Sequence, residues 1–228
     1  PPPPFFFHAD HGIRHRSPSR GLGDVYKRQT FGSLTITGAA VSVTENAALD
    51  LAGATISGTG SFHSRDNAIT DAGTLTVTGA ATFDSGSANL TLDAAASTFG
   101  SLTLTGAAVS VVENAALDLA GATISGTANF DSTNHAITDS GTLPVTGATT
   151  FDRGSAKLTL DEAASTFGSL TITGSAVSVT EDASMDLGGA TISGPASFDS
   201  TNHAITDSGT LAISGAVSYT HLTLPTKA

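Results

Sequence analysis

Short runs of alternating apolar and polar residues, each closed by a glycine, set the rhythm of this chain. Leu34-Thr35-Ile36-Thr37-Gly38 is followed by Ala54-Thr55-Ile56-Ser57-Gly58 and Leu75-Thr76-Val77-Thr78-Gly79. The trio returns at 102–106, 122–126 and 143–147, and again at 170–174, 190–194 and 211–215. A period of two turns one side of each run toward a core and the other toward water, which predicts strands. Two more short strands follow in most units. They carry Val41/Val43 and Leu49/Leu51 in the first unit, Phe62 and Ile69 in the second, and Phe83 and Leu90/Leu92 in the third. Gly, Asn, Asp and Ser mark the corners, and the glycine after each first strand is expected at positive φ. No stretch carries a 3.6-residue apolar stripe, so no helix is expected.

A longer period encloses this one. Thr30-Phe31-Gly32-Ser33-Leu34 returns as Thr98-Phe99-Gly100-Ser101-Leu102 and as Thr166-Phe167-Gly168-Ser169-Leu170, at the same interval both times. The closing glycines are Gly38, Gly58, Gly79, Gly106, Gly126, Gly147, Gly174, Gly194 and Gly215. Two short spacings are followed by a longer one, and the cadence repeats. Three strands and three corners in such a span make one coil of a parallel β-helix. The expected fold is therefore all-β: a parallel β-helix, or β-solenoid, of about nine three-stranded coils, with a 68-residue repeat made of three coils. At about 4.8 Å per coil the rod would be roughly 40 Å long. The array divides into 30–97, 98–165 and 166–216. A lone coil of about 20 residues loses roughly 1–2 kcal/mol per residue in backbone entropy. It buries only about six apolar side chains, worth roughly 1.5–3 kcal/mol each. Coils are therefore stable only when stacked, and coils left uncapped at the ends of an array are expected to fray or self-associate end to end.

The flanks break the pattern. Asp24-Val25-Tyr26-Lys27-Arg28-Gln29 and Val217-Ser218-Tyr219-Thr220-His221-Leu222 can be back-translated into strings that are reverse complements over nearly their whole length. Both resemble the transposase end sequence used to attach sequencing adaptors. Segments 1–29 and 217–228 therefore read as translated adaptor, the first expected to be disordered, and His8, His11, His15 and the basic run 14–20 carry no functional meaning.

Composition narrows the partners. Net charge is −11 over the whole chain, and within 30–216 only Arg65, Arg153 and Lys157 oppose eighteen carboxylates, a net of −15. A nucleic-acid backbone is not expected as a partner, because that needs clustered Lys and Arg. No apolar run is long enough to span a membrane as a helix, and Pro1 to Phe7 do not read as a signal peptide. The absence of cysteine excludes a disulfide framework and Cys-based metal or redox sites.

The array resembles the β-helical repeats of filamentous-haemagglutinin-like exoproteins and related large bacterial adhesins. The likeness is carried by Asn134-His135-Ala136-Ile137-Thr138-Asp139-Ser140-Gly141-Thr142-Leu143, by Val145-Thr146-Gly147-Ala148-Thr149-Thr150-Phe151, and by Leu158-Thr159-Leu160-Asp161. It implies export, display at the cell surface and adhesion; the family's secretion domain has no counterpart in this sequence. No family site motif transfers, so no catalytic, cofactor-binding or metal-ligating residue is assigned.

Several features could carry chemistry. Asp50, Asp71, Asp93, Asp118, Asp139, Asp161, Asp186 and Asp207 occur once per coil. Stacked in a column they would repel by about 1 kcal/mol per neighbour even in water. They read as corner-forming residues, with weak Ca²⁺ binding as the functional alternative. The outward pairs Thr35/Thr37, Thr55/Ser57 and Thr76/Thr78, with their copies, would form a flat Thr face. Such a face suits exposed strands and resembles that of some ice-binding proteins. His135 and His203 read as solvated corner histidines. Asn89-Leu90-Thr91 matches a glycosylation sequon by chance. Phe62, Phe83, Phe130, Phe151 and Phe198 read as a core ladder, and Phe31, Phe99 and Phe167 as plugs of the longer third coil. Differences between the first two copies, such as Ser85 against Arg153 and Asn89 against Lys157, fall on positions expected to be outward or at corners. Pro144, in place of Thr76, removes a ladder donor and predicts a local defect.

The leading functional expectation is a structural stalk or adhesive segment of a secreted bacterial surface protein, not an enzyme. Its partners would be glycans or proteins of a host or neighbouring cell. The alternatives are a solenoid that binds glycan or ice through its Thr face, and, further off, a polysaccharide-degrading β-helix with a single groove and a non-repeating acid–base set.

Overall fold

A computed structural model of the protein describes residues 30–221. Among them lie twenty-one strands and no helix, joined into one sheet in which all strand pairs are parallel. The chain winds into a triangular β-solenoid of about nine turns. Leu34 lies on Leu51, and Thr76 on Thr98, so each partner is about one turn of chain away. Inward residues form unbroken rows, such as Leu49–Ile69–Leu90–Val109–Ala128. These side chains are almost wholly buried, and one apolar cluster runs from Ile36 to Phe198. Backbone hydrogen bonds run to the coils above and below, so the rod coheres through contacts that no single coil can make.

The ladder refines the repeat. Leu102 to Thr105 do not lie on Leu75–Val77, the face that carries the first strand of each unit in the preceding copy. They lie on Ala81 to Asp84, one face further round. The surplus is the short segment 98–99, which takes its own place on 76–77. Each 68-residue repeat thus supplies ten strand segments rather than nine. It advances three and one-third coils, and equivalent residues turn by a third of the circumference from copy to copy. The longer spacing, from Gly79 to Gly106, is one coil plus one additional segment. Phe99 fills that segment edge-on to Phe83 at 5.7 Å, and Phe83 stacks on Phe62 at 5.0 Å. Phe167, Phe151 and Phe130 repeat the arrangement. Phe62, Phe83, Phe130, Phe151 and Phe198 are therefore the core ladder, and Phe99 and Phe167 the plugs, that their spacing suggested; Phe31, expected as a third plug, is instead 38% exposed, with no coil beneath it among the described residues.

Several local expectations change. The closing glycines do not have positive φ. After Gly38, whose Cβ would meet only its own coil, they are needed because a Cβ would strike the coil beneath: for Gly126 it would lie 2.6 Å from the Ala107 carbonyl oxygen, and for Gly194 it would meet that of Ser175 in the same way. Left-handed backbone occurs instead at Arg65-Asp66, Thr133-Asn134 and Thr201-Asn202, the central pairs of turns with the positive φ values of type I′. Arg153 is neither outward nor at an exposed corner: it is fully buried under Gly174. Its Nε and Nη1 have no partner, and only Nη2 reaches a carbonyl oxygen, that of Ala176 at 3.5 Å. The Arg153 amide meets Thr173 at 3.4 Å, where Ser85 meets Thr105 at 3.0 Å, so the large side chain parts the coils. The defect expected at Pro144 is present. Ala54, Thr55 and Ile56 all pair with the next coil, whereas in the second copy only Ile124 pairs, with Val145.

The strands continue past 216. Val217–Thr220 pairs with Ala196–Asp199, and Tyr219 stacks on Phe198 at 5.7 Å. The alternation Val217-Ser218-Tyr219-Thr220 suits a strand whatever its origin. The segments 1–29 and 222–228 lie outside the described residues.

Candidate functional site

The register separates the aspartates expected to form a column. Asp50 lies opposite Thr70, and Asp71 opposite Leu51. Asp118 and Asp186 likewise face Thr138 and Thr206, while Asp139 and Asp207 take the row of Leu119 and Leu187. The eight aspartates therefore form no single column, although Asp93 still repels Asp71 and Asp161 repels Asp139, and, outside this set, Asp131 lies directly opposite Asp152. Asp71 and Asp139 turn into the corner and are 7% exposed. Asp139 accepts the amides of Asp161 at 2.8 Å and Glu162 at 3.3 Å, and Asp71 accepts that of Asp93 at 2.8 Å. Burial raises both carboxyls, that of Asp139 to about 6. The continuous carboxylate row on which Ca²⁺ binding would have rested is absent among the described residues.

The Thr pairs also disperse. Thr37–Thr55–Thr76–Thr98 form a row on one face. Thr103 and Thr105 sit on the second face, above Thr82 and Asp84, and Thr171 and Thr173 on the third, above Thr150 and Asp152. Ser and Thr thus cover all three sides rather than one flat plane. Two shallow grooves, of about 360 and 390 Å³, follow the same rule. The first is lined by Asn89, Ala108, Thr127 and Ala148, and the second by Lys157, Ala176, Pro195 and Ala216, each one repeat further on. They are one repeated feature on successive faces.

Sequence reasoning passed over two arrangements. One is a buried glutamate in each repeat: Glu45, Glu113 and Glu181 are 3%, 0% and 0% exposed. Glu113 accepts the Phe99 amide at 2.8 Å and Glu45 the Phe31 amide at 2.7 Å, and Glu181 takes the same place beside Phe167. In the first two repeats the carboxylate supplies the acceptor that the next coil's backbone does not offer the additional segment, whereas both Glu181 oxygens stand without a hydrogen-bond partner. Burial without a counter-ion raises Glu113 to about 7 and Glu181 to about 8. The signal was available in the recurrence of a Glu at a fixed distance after each Phe of the Thr-Phe-Gly-Ser-Leu motif, as in Phe31/Glu45, Phe99/Glu113 and Phe167/Glu181.

The other arrangement occurs once. Ser61 and His63 are two apart on the outward side of strand Gly60–His63, so both side chains stand on one surface. Ser61 Oγ is 2.9 Å from His63 Nε2. His63 Nδ1 is 3.2 Å from Oδ2 of Asp84, which lies directly opposite on the next coil. Asp84 Oδ1 also accepts the Gly86 amide at 2.9 Å, fixing the carboxylate at its corner. His135 and His203, the histidines singled out from sequence, lie on exposed corners with Nδ1 3.0 Å from the carbonyl oxygens of Ser132 and Thr201 respectively.

A family model described as repeats of unknown function (DUF5649) matches residues 38–105, 106–173 and 174–222. The three matches have the spacing found in the sequence and together span most of the chain. No curated protein and no solved structure matches it.

Proposed function

The chain belongs to that family of repeats (DUF5649), and from this premise we propose that it is a structural stalk or adhesive segment of a bacterial protein exported to the cell surface. Its role there is to hold a stiff acidic shaft away from the cell and to offer repeated shallow contacts to glycans or proteins of an opposing surface. The observation that carries this reading is the advance of three and one-third coils per repeat. Each surface feature recurs on successive faces, so a long array meets partners on every side. One flat ice-binding plane is disfavoured, because its Thr pairs are divided among three faces. Glycan contact in the repeated groove is the second reading, favoured by the hydroxyl and amide groups of Asn89, Thr91, Ser110 and Asn129 along it.

The test is small-angle scattering on arrays of three, six and nine repeats. At about 4.8 Å per coil a stiff stalk lengthens by roughly 16 Å per repeat at constant cross-section. Growth with the square root of repeat number, as for a flexible string, would sink the stalk. Failure of the same arrays on beads to retain any surface glycan or protein would remove the adhesive part alone.

A further inference from the structure

The geometry points to Ser61 as an activated nucleophile that accepts acyl groups from short-chain esters, with His63 as its base and Asp84 as the positioning residue. The connectivity is that of a serine hydrolase relay. The carboxylate accepts a hydrogen bond from Nδ1–H of the imidazole, which fixes that tautomer and leaves Nε2 as an acceptor for the serine hydroxyl. Both links are within or close to hydrogen-bond reach, at 2.9 and 3.2 Å. The group stands on an open strand face, where a small ester carbonyl can approach Ser61 without a pocket.

The molecule contains its own comparison sites. At the equivalent places the second repeat has Asn129, Asp131 and Asp152, and the third has Ser197, Asp199 and Thr220. Neither has an imidazole. A purely structural surface chain would be expected to recur with the repeat; this one does not. Ser197 occupies the same strand position as Ser61 but has a carboxylate where His63 would be.

In the reaction Ser61 Oγ attacks the ester carbonyl while His63 Nε2 takes the hydroxyl proton. The C–O bond to the leaving alcohol breaks, and His63 returns the proton to that alcohol. Water, deprotonated by His63, then attacks the acyl-serine, releasing the acid and restoring Ser61. Strand amides are engaged in the inter-coil ladder and cannot hold the oxyanion. The hydroxyls of Ser42 and Thr82, which flank Ser61 in register on the adjoining strands, are left to serve as donors. Turnover is therefore slow, and acylation is the step to measure.

The test uses the full chain with an alkyl fluorophosphonate and with p-nitrophenyl acetate, the modified serine being located by peptide mass mapping. Ser61 should be labelled about 100-fold faster than Ser197, the scale of general-base assistance. His63→Ala should bring Ser61 down to the Ser197 rate. Asp84→Asn keeps an oxygen for the Gly86 amide but offers Nδ1 a donor. That forces the proton onto Nε2, so labelling should fall while circular dichroism stays unchanged. Asp84→Glu should restore part of the rate. Equal labelling of Ser61 and Ser197 in a folded chain overturns the proposal, as does rapid Ser61 labelling that survives His63→Ala. Neither outcome bears on the stalk, which is judged by length and stiffness.

Discussion

The backbone amide of Phe99 donates to the buried carboxylate of Glu113 at 2.8 Å, and this one bond marks where the solenoid departs from a simple three-strand count. The additional segment 98–99 has a strand on only one side, and Glu113 supplies the missing acceptor. The other oxygen of that carboxylate has no partner.

Stability should therefore fall as pH rises. Glu113 and Glu181 are raised from 4.5 to about 7 and about 8, and Asp139 from 3.8 to about 6, each chiefly by burial. In that interval the folded chain holds protons that the unfolded chain has released. Their contribution is complete below the unfolded values, near pH 4, and is lost as pH climbs through the folded values to about 8. Each glutamate is worth on the order of 3–5 kcal/mol across the window. Thermal melts at pH 5 and pH 8 should show the higher midpoint at pH 5. Glu113→Gln should flatten the slope and raise the midpoint at pH 8.

Arg153→Ser should stabilise the protein. The second copy buries a guanidinium where the first has Ser85, which donates to the carbonyl oxygens of Ala88 and Thr105, both at 3.0 Å. Desolvation lowers Arg153 to about 10, so it stays charged at neutral pH without an ion partner. Removing a buried, incompletely bonded charge should add roughly 1–4 kcal/mol, read as a higher urea midpoint at unchanged slope. The reverse change, Ser85→Arg, should lower the midpoint.

Gly126→Ala and Gly188→Ala should part company. The first places a methyl group 2.6 Å from a backbone oxygen of the coil below, and the second meets nothing closer than 3.4 Å. Overpacking against backbone costs roughly 1–3 kcal/mol, whereas the position of Gly188 already carries alanine in the earlier copies, as Ala52 and Ala120. Paired denaturation curves decide the matter; equal effects would remove the close-approach explanation of the corner glycines.

Pro144→Thr should repair the ladder. It returns an amide donor where the second copy keeps one strand pair and the first has three. A regained hydrogen bond is worth about 0.5–1.5 kcal/mol. Hydrogen exchange should slow at Ile124 and Val145 and be unchanged around Ile56 and Val77.

The sequence alone determined what depends on local pattern. Period-two alternation and recurring small corner residues fix strands such as Leu34–Gly38. A long, exact recurrence without helical stripes leaves a stacked solenoid as the way to bury their apolar sides. The inward phenylalanines follow from the same alternation. Tertiary structure decided everything that depends on which segment lies on which. Register between coils is set by the summed lengths of three corners. A surplus of one segment, hidden between Gly79 and Gly106, rotates each copy by a face and dissolves the expected Asp and Thr columns. Glu113 beneath Phe99, Arg153 under Gly174 and His63 opposite Asp84 are all meetings between segments far apart along the chain. Such contacts form only once the coils have stacked, so no local reading of hydrophobic and polar positions could place them.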